Sequence, residues 1–230
     1  DRTGKTTLYD IHGEERRTVI PFNEIPQVVK DATVVSEDGD FYKHRGIDFK
    51  AIARAAWLNL TSDSLQGGST ITQQFIKKSI LTSERTFGRK IKEAILALEL
   101  ERKYSKDEIL NFYLNQIPYG INAYGIEAAA ETYFSKKAID LNLAEATLLA
   151  SLIRAPSYYS PYGDHQKELI NRQHLVLDRM AELNYISKND AEKAKKYPLN
   201  FSKIKSSISA PHFVFYVKNI IEEKYGEDYV

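Results

Sequence analysis

Apolar residues recur at helical spacing over most of the chain. Val28, Val29, Ala32 and Val35 share a face of a segment opening at Pro26, whose fixed φ suits a first helical position. A helix is therefore predicted over 26–38. Asp48 can cap a second helix to about Leu60, with Ile52, Ala55 and Ala56 inward and Trp57 nearby. Ser69 can cap a third, to about Leu81. A fourth runs from about Phe87 to Lys103, with Ile91, Ala94, Ile95 and Leu98 as its inward face. Ser105 and Glu108 form a capping box that opens a fifth, ending at Gln116. Further helices are predicted over 126–134, over 143–154 behind Asn142, and over 166–185, 188–196 and 211–225. Thr6–Asp10 and Arg16–Phe22 alternate around His12-Gly13 and predict a short hairpin; 117–125 and 155–164 are predicted loops. No internal repeat or low-complexity tract interrupts the pattern. The expected fold is mainly α with a bundle-like core.

Composition changes this picture little. The 230 residues are 43% hydrophobic and 27% charged, ordinary for a chain that buries a real core. A net charge of +1 excludes a blanket attraction to nucleic acid. There is no cysteine, so no disulfide can form. No apolar run of about 18 residues occurs, so no segment is expected to span a bilayer. The chain begins at Asp1 without Met, which suggests a piece excised from behind an upstream anchor.

Three stretches carry candidate chemistry. Glu37-Asp-Gly-Asp-Phe-Tyr-Lys-His-Arg-Gly46 follows the first helix. A carboxylate at an apolar helix's C-terminal end meets the negative end of the dipole, which would raise Glu37 towards a pKa useful for proton transfer. The plain alternative is a solvated helix end. The second stretch is Gly67-Gly-Ser-Thr-Ile-Thr-Gln-Gln-Phe-Ile-Lys77. Its paired glycines allow close backbone approach, and the helix start after them offers free N–H groups, a recipe for an anion site. Thr70, Gln73, Gln74 and Lys77 line one stripe of that helix, suited to hydroxyls and a phosphate or simply to solvent. The third is a basic cluster, Lys77, Lys78, Arg85, Arg89, Lys90 and Lys92, which could hold phosphate oxygens. It lacks the interleaved aromatics of a base-stacking surface. Glu93 stands one turn after Arg89 and, taken alone, reads as a surface ion pair.

Five ordered blocks together are more specific than any one. They are Glu37-Asp38 with Phe41, His44 and Gly46; Gly68-Ser69-Thr70 with Gln73-Gln74; Arg89-Lys90 with Glu93; Lys106 with Ile109-Leu110 and Tyr113-Leu114-Asn115; and Arg154-Ala-Pro-Ser157 with Tyr159-Ser160-Pro161. In these the chain resembles the peptidoglycan glycosyltransferase domain of class A (bifunctional) penicillin-binding proteins, over roughly residues 25–185. Asn111 stands where that family usually has Glu, a change expected to tune packing. No Ser-x-x-Lys motif occurs, so transpeptidation is not expected of this chain.

The resemblance implies a lysozyme-like helical domain with a larger lobe, a small membrane-facing lobe and a minor N-terminal hairpin. It divides the chain into an N-terminal segment (1–25), the glycosyltransferase domain (26–200) and a C-terminal linker or helix (201–230) towards an absent transpeptidase domain. It implies polymerisation of lipid II into β-1,4-linked glycan, with inversion at the MurNAc anomeric carbon and release of undecaprenyl pyrophosphate. Glu37 becomes the general base and Glu93 the second carboxylate. Lys77, Arg85, Arg89 and Lys90 become candidates to hold pyrophosphate. Ser69, Thr70, Gln73, Gln74, Asn115 and Arg154 become candidates to shape the cleft, with Asn115 and Arg154 equally open to structural roles. His44 is expected to be a structural hydrogen-bonder. Phe75, Ile76, Ile80, Leu81 and Phe87 would form an apolar lip on the outer leaflet of the bacterial plasma membrane, and 82–88 a flap over the donor site. No cofactor is required; a divalent cation (Mg or Mn) could assist. Inhibition by moenomycin-type phosphoglycolipids is implied. The alternatives are a lysozyme-like glycan hydrolase and a non-enzymatic membrane or envelope module.

Overall fold

The computed structural model describes residues 16–61, 67–80 and 86–203, and beyond them 213, 216, 217, 220, 221 and 224. Nine α-helices of at least eight residues lie among the described residues: α1 (Gln27–Glu37), α2 (Phe49–Thr61), α3 (Ile71–Ser79), α4 (Phe87–Lys103), α5 (Lys106–Gln116), α6 (Ile126–Phe134), α7 (Leu143–Leu152), α8 (Gln166–Glu182) and α9 (Lys188–Lys195). The periodicity placed each to within a few residues. Caps account for several of the boundaries: Ser105 and Asn142 each form a capping box with the glutamate three residues on. The third helix starts one residue later than predicted. Thr70, not Ser69, is its N-cap, paired reciprocally with Gln73.

The predicted loop over 117–125 contains a tight hairpin instead. Strands β2 (Pro118–Gly120) and β3 (Ala123–Tyr124) pair antiparallel around Ile121 and Asn122, both at positive φ. The N-terminal strand β1 (Arg16–Arg17) joins β3 in parallel, giving the order β1-β3-β2. The expected N-terminal hairpin partner, Thr6–Asp10, lies outside the described residues. Residues Phe213, Tyr216, Val217, Ile220, Ile221 and Lys224 are helical, as the predicted last helix requires.

The main core joins residues from α1, α3, α5, α6, α7 and α8, with Val34, Phe41, Tyr113, Leu148 and Leu169 among its members. Helix α7 is buried along its length from Ala144 to Leu152 and packs on both α1 and α8. On the other side α3 lies between α4 and α5. Asn115, on α5, exchanges two hydrogen bonds with the Ile20 backbone, at 2.9 and 3.0 Å, and a third with the Asn111 side chain at 2.8 Å. It ties the N-terminal segment to the core, and Asn111 takes part in that packing.

Two helices do not bury the face their sequences predict. On α4, Ile91, Ile95 and Leu98 are 48%, 56% and 47% exposed, while Glu93 and Ala97 are buried. On α2, Ile52 and Trp57 are exposed and Ala55 is buried. The expected apolar lip is corrected as well: Ile76 is fully buried, and Phe75 packs partly buried against the core, stacked on Phe112. Ile80 remains exposed. Leu81, the Phe87 side chain and most of the 82–88 stretch lie outside the described residues.

Candidate active site

Glu37 is the last residue of α1, and three elements converge on it. The Gln74 Nε2 of α3 donates to Glu37 Oε2 at 3.0 Å. The Arg172 guanidinium of α8 stands 3.8 Å from Oε1. The C-terminal carbonyls of α7 hold the surroundings: Ser36 Oγ donates to the Ala150 carbonyl and Arg172 Nε to the Ser151 carbonyl. A guanidinium suits the negative end of a helix. The Glu37 side chain is only 8% exposed, and its immediate polar contacts donate to it or carry positive charge.

The neighbouring Asp38 is spent on the frame. Its carboxylate receives the His44 Nε2 hydrogen bond (2.9 Å) and the Ile71 backbone N–H (3.0 Å). His44 therefore holds the loop, as expected of a structural hydrogen-bonder. The anion recipe at the start of α3 is corrected by the same contacts. The Ile71 amide is taken by Asp38, the Gln73 amide by Thr70 Oγ1 and the Thr70 amide by Gln73 Oε1. Gln73 is buried in this cap, and Thr70 Oγ1 also donates to the Gly46 carbonyl at 2.7 Å. Glycine is required at two of the joints. Gly46 has φ +82°, and a Cβ there would lie 2.9 Å from the Ala97 carbonyl oxygen. A Cβ on Gly68 would lie 3.0 Å from the Ile52 Cα.

Across from Glu37, Glu93 is 1% exposed. It receives Arg89 at 3.1 Å and is paired with Lys90, whose ammonium also donates to Ser69 Oγ at 2.9 Å. The predicted pairing with Arg89 exists, but it faces inward rather than lying on the surface. Two adjoining cavities, about 540 and 300 Å³, share Ser36, Glu37, Gly67 and Ser69. The smaller is lined by Glu37, Gln74 and Glu93 and by four cations, Lys77, Lys78, Arg154 and Arg172. The larger is mixed in charge, with Asp40, Asp48, Lys43, Arg54 and Arg179. Desolvation in the groove is the main influence on Lys78 and lowers its pKa, with the Glu37 charge opposing. Arg172 is shifted the same way, by desolvation first and by Arg154 as well, again against Glu37.

Of the expected site residues, the groove thus gathers Glu37, Glu93, Ser69, Thr70, Gln74, Lys77 and Arg154. Arg89 and Lys90 are engaged with Glu93, Gln73 is enclosed in the cap, and Asn115 serves the N-terminal tether. Arg85 lies outside the described residues. Sequence reasoning missed Arg172. Its one signal is position: it flanks the inward stripe of α8, Leu169, Gln173, Val176 and Leu177, where a cation needs a partner.

A comparison with protein families matches residues 4–181 to the family described as Transglycosylase. The chain belongs to the transglycosylase family. It is 45% identical over 224 residues to penicillin-binding protein 1A of Aquifex aeolicus, covering 97% of this chain and 31% of that protein. It is 42% identical over 212 residues to penicillin-binding protein 1F of Bacillus subtilis, covering 91% and 29%. The chain thus spans less than a third of the length of these curated relatives. A crystal structure of penicillin-binding protein 1A from Haemophilus influenzae superposes with a TM-score of 0.56 at 27% identity, over 94% of this chain and 22% of that one. The mainly α, lysozyme-like fold of this transglycosylase domain accords with that match, and membership makes it a peptidoglycan glycosyltransferase domain of the penicillin-binding-protein kind.

Proposed function

We propose that this domain polymerises lipid II, with Glu37 as general base. The observation that carries the reading is one groove lined by Glu37, Glu93 and four cations. In this reading the GlcNAc 4-hydroxyl of the acceptor loses its proton to Glu37 and attacks the anomeric carbon of the donor MurNAc. The new β-1,4 C–O bond forms as the bond to pyrophosphate breaks, with inversion. Undecaprenyl pyrophosphate departs towards Lys77, Lys78, Arg154 and Arg172, whose fixed charges meet the negative charge as it develops. Glu93 keeps Arg89 and Lys90 oriented at the groove wall. The mixed-charge cavity takes the acceptor, and the cation-rich one the donor pyrophosphate.

The transfer draws on no resident cofactor. A divalent ion (Mg or Mn), where one assists, would arrive with the pyrophosphates. Among the described residues no helix is long and apolar enough to cross a membrane. The domain would reach its lipid substrate at the outer face of the bacterial plasma membrane. The surface involved is the exposed apolar set Ile80, Ile91, Ile95 and Leu98, with Phe49 and Trp57 of α2. The relatives are about three times longer than this chain, which leaves room in them for an anchor and a transpeptidase domain outside the matched region.

The deciding assay supplies lipid II and, separately, finished peptidoglycan. The reading expects polymer and free undecaprenyl pyrophosphate from the first and no released sugars from the second, with moenomycin blocking the turnover. Short sugars from finished glycan would favour a hydrolase. Vesicle binding without turnover would favour an interaction module.

A further inference from the structure

The base has a support that the transfer scheme leaves unused. Tyr113, on α5, is 1% exposed, and its hydroxyl donates to Gln74 Oε1 at 3.1 Å. The other end of the same amide donates to Glu37 Oε2 at 3.0 Å. We propose that Tyr113 is a positioning residue for the transfer: its phenol fixes the Gln74 amide so that Nε2, and not the oxygen, faces the Glu37 carboxylate. This role rests on the reading of Glu37 as base.

An amide can present either end, and its partners decide which. With Nε2 towards Glu37, the amide donates to the carboxylate. Flipped, Gln74 would set an acceptor oxygen against the carboxylate. That arrangement becomes comfortable only once Glu37 is protonated and can donate, so a flip would trap the proton on the base. The Tyr113 hydroxyl opposes the flip because its donation to Oε1 would be lost. Burial, and then the Glu37 charge, hold this phenol well above the usual tyrosine range, so it stays a donor at every working pH.

The other charged or titratable groups around Glu37 come from several elements. They are Asp38 next in sequence, Lys77 and Lys78 on α3, Glu93 on α4, Arg154 after α7, Arg172 on α8 and Tyr119 on β2. Removing the Tyr113 hydroxyl leaves all of these in place. Tyr119 provides the internal contrast. It is equally buried, yet its hydroxyl has no hydrogen-bond partner among the described residues and gives Gln74 nothing.

The test is the pH dependence of kcat for lipid II polymerisation. Tyr113→Phe is expected to move the acid limb up by about one pH unit, because the base is more easily protonated. It should lower kcat at neutral pH about tenfold with KM unchanged. Gln74→Leu removes the donor itself and is expected to shift the limb likewise; combining the two adds nothing further. It also reads the limb if Tyr113→Phe melts early. Tyr119→Phe leaves the limb where it is. An unmoved limb in folded Tyr113→Phe, or an equal shift in Tyr119→Phe, overturns the proposal. Glu37→Gln separates the two layers. If it is inactive while the Tyr113→Phe limb stays put, the base stands and the positioning role alone falls; if it is active, both fall.

Discussion

Helices α1 and α4 carry the two groove carboxylates and bury opposite kinds of face. Helix α1 turns Val29, Ala32, Val34 and Val35 into the core, against α7 and α8, and brings Glu37 to the groove at its end. Helix α4 turns Glu93 and Ala97 inward and leaves Ile91, Ile95 and Leu98 exposed. The difference lies in what each helix meets. α1 meets a helix buried along its length and turns a largely apolar surface to it. Glu93 has cations from its own preceding turn, one of them bridged to Ser69, so its carboxylate enters the interior already paired. The apolar stripe of α4 is then left for whatever covers it from outside, which in the proposed reading is lipid.

The same substitution on the two helices gives the sharpest contrast. Val34→Asp places an unpaired charge in a site that is 2% exposed, and is expected to cost more than about 4 kcal/mol, read as loss of a folded baseline in urea. Ile95→Asp should change stability by less than about 0.5 kcal/mol, yet weaken binding to anionic vesicles roughly tenfold. Equal destabilisation by both would mean that α4 buries its apolar face after all. Glu93→Gln comes next, at about 1–2 kcal/mol in the same melt, since the partly exposed Lys90 can turn to solvent while Arg89 loses its partner. A smaller loss than at Glu93 is expected at the N-cap of α3. Thr70→Ala removes the α3 cap and its bond to Gly46 and should cost about 1 kcal/mol.

The helices were legible because Pro26, Ser105 and Asn142 mark their starts and apolar periodicity fills their lengths. The face of α4 was not, because a period says which residues lie together and not which medium they meet. The Thr70–Gln73 cap was written in the sequence as a Thr-x-x-Gln box, but the same spacing also makes a ligand stripe. Only the contacts with Asp38 and Gly46 decide between them. Glu37 and Gln74 were reachable from local motifs. Arg172 and the Tyr113 hydroxyl were not, since each comes to Glu37 or to its partner Gln74 from a helix distant in sequence.

The most direct measurement follows lipid II binding and turnover together in Glu37→Gln. The account predicts binding within about threefold of the unaltered domain, because the groove cations remain, and a loss of polymer formation of at least about 100-fold. Polymer at a near-normal rate from that variant would contradict it.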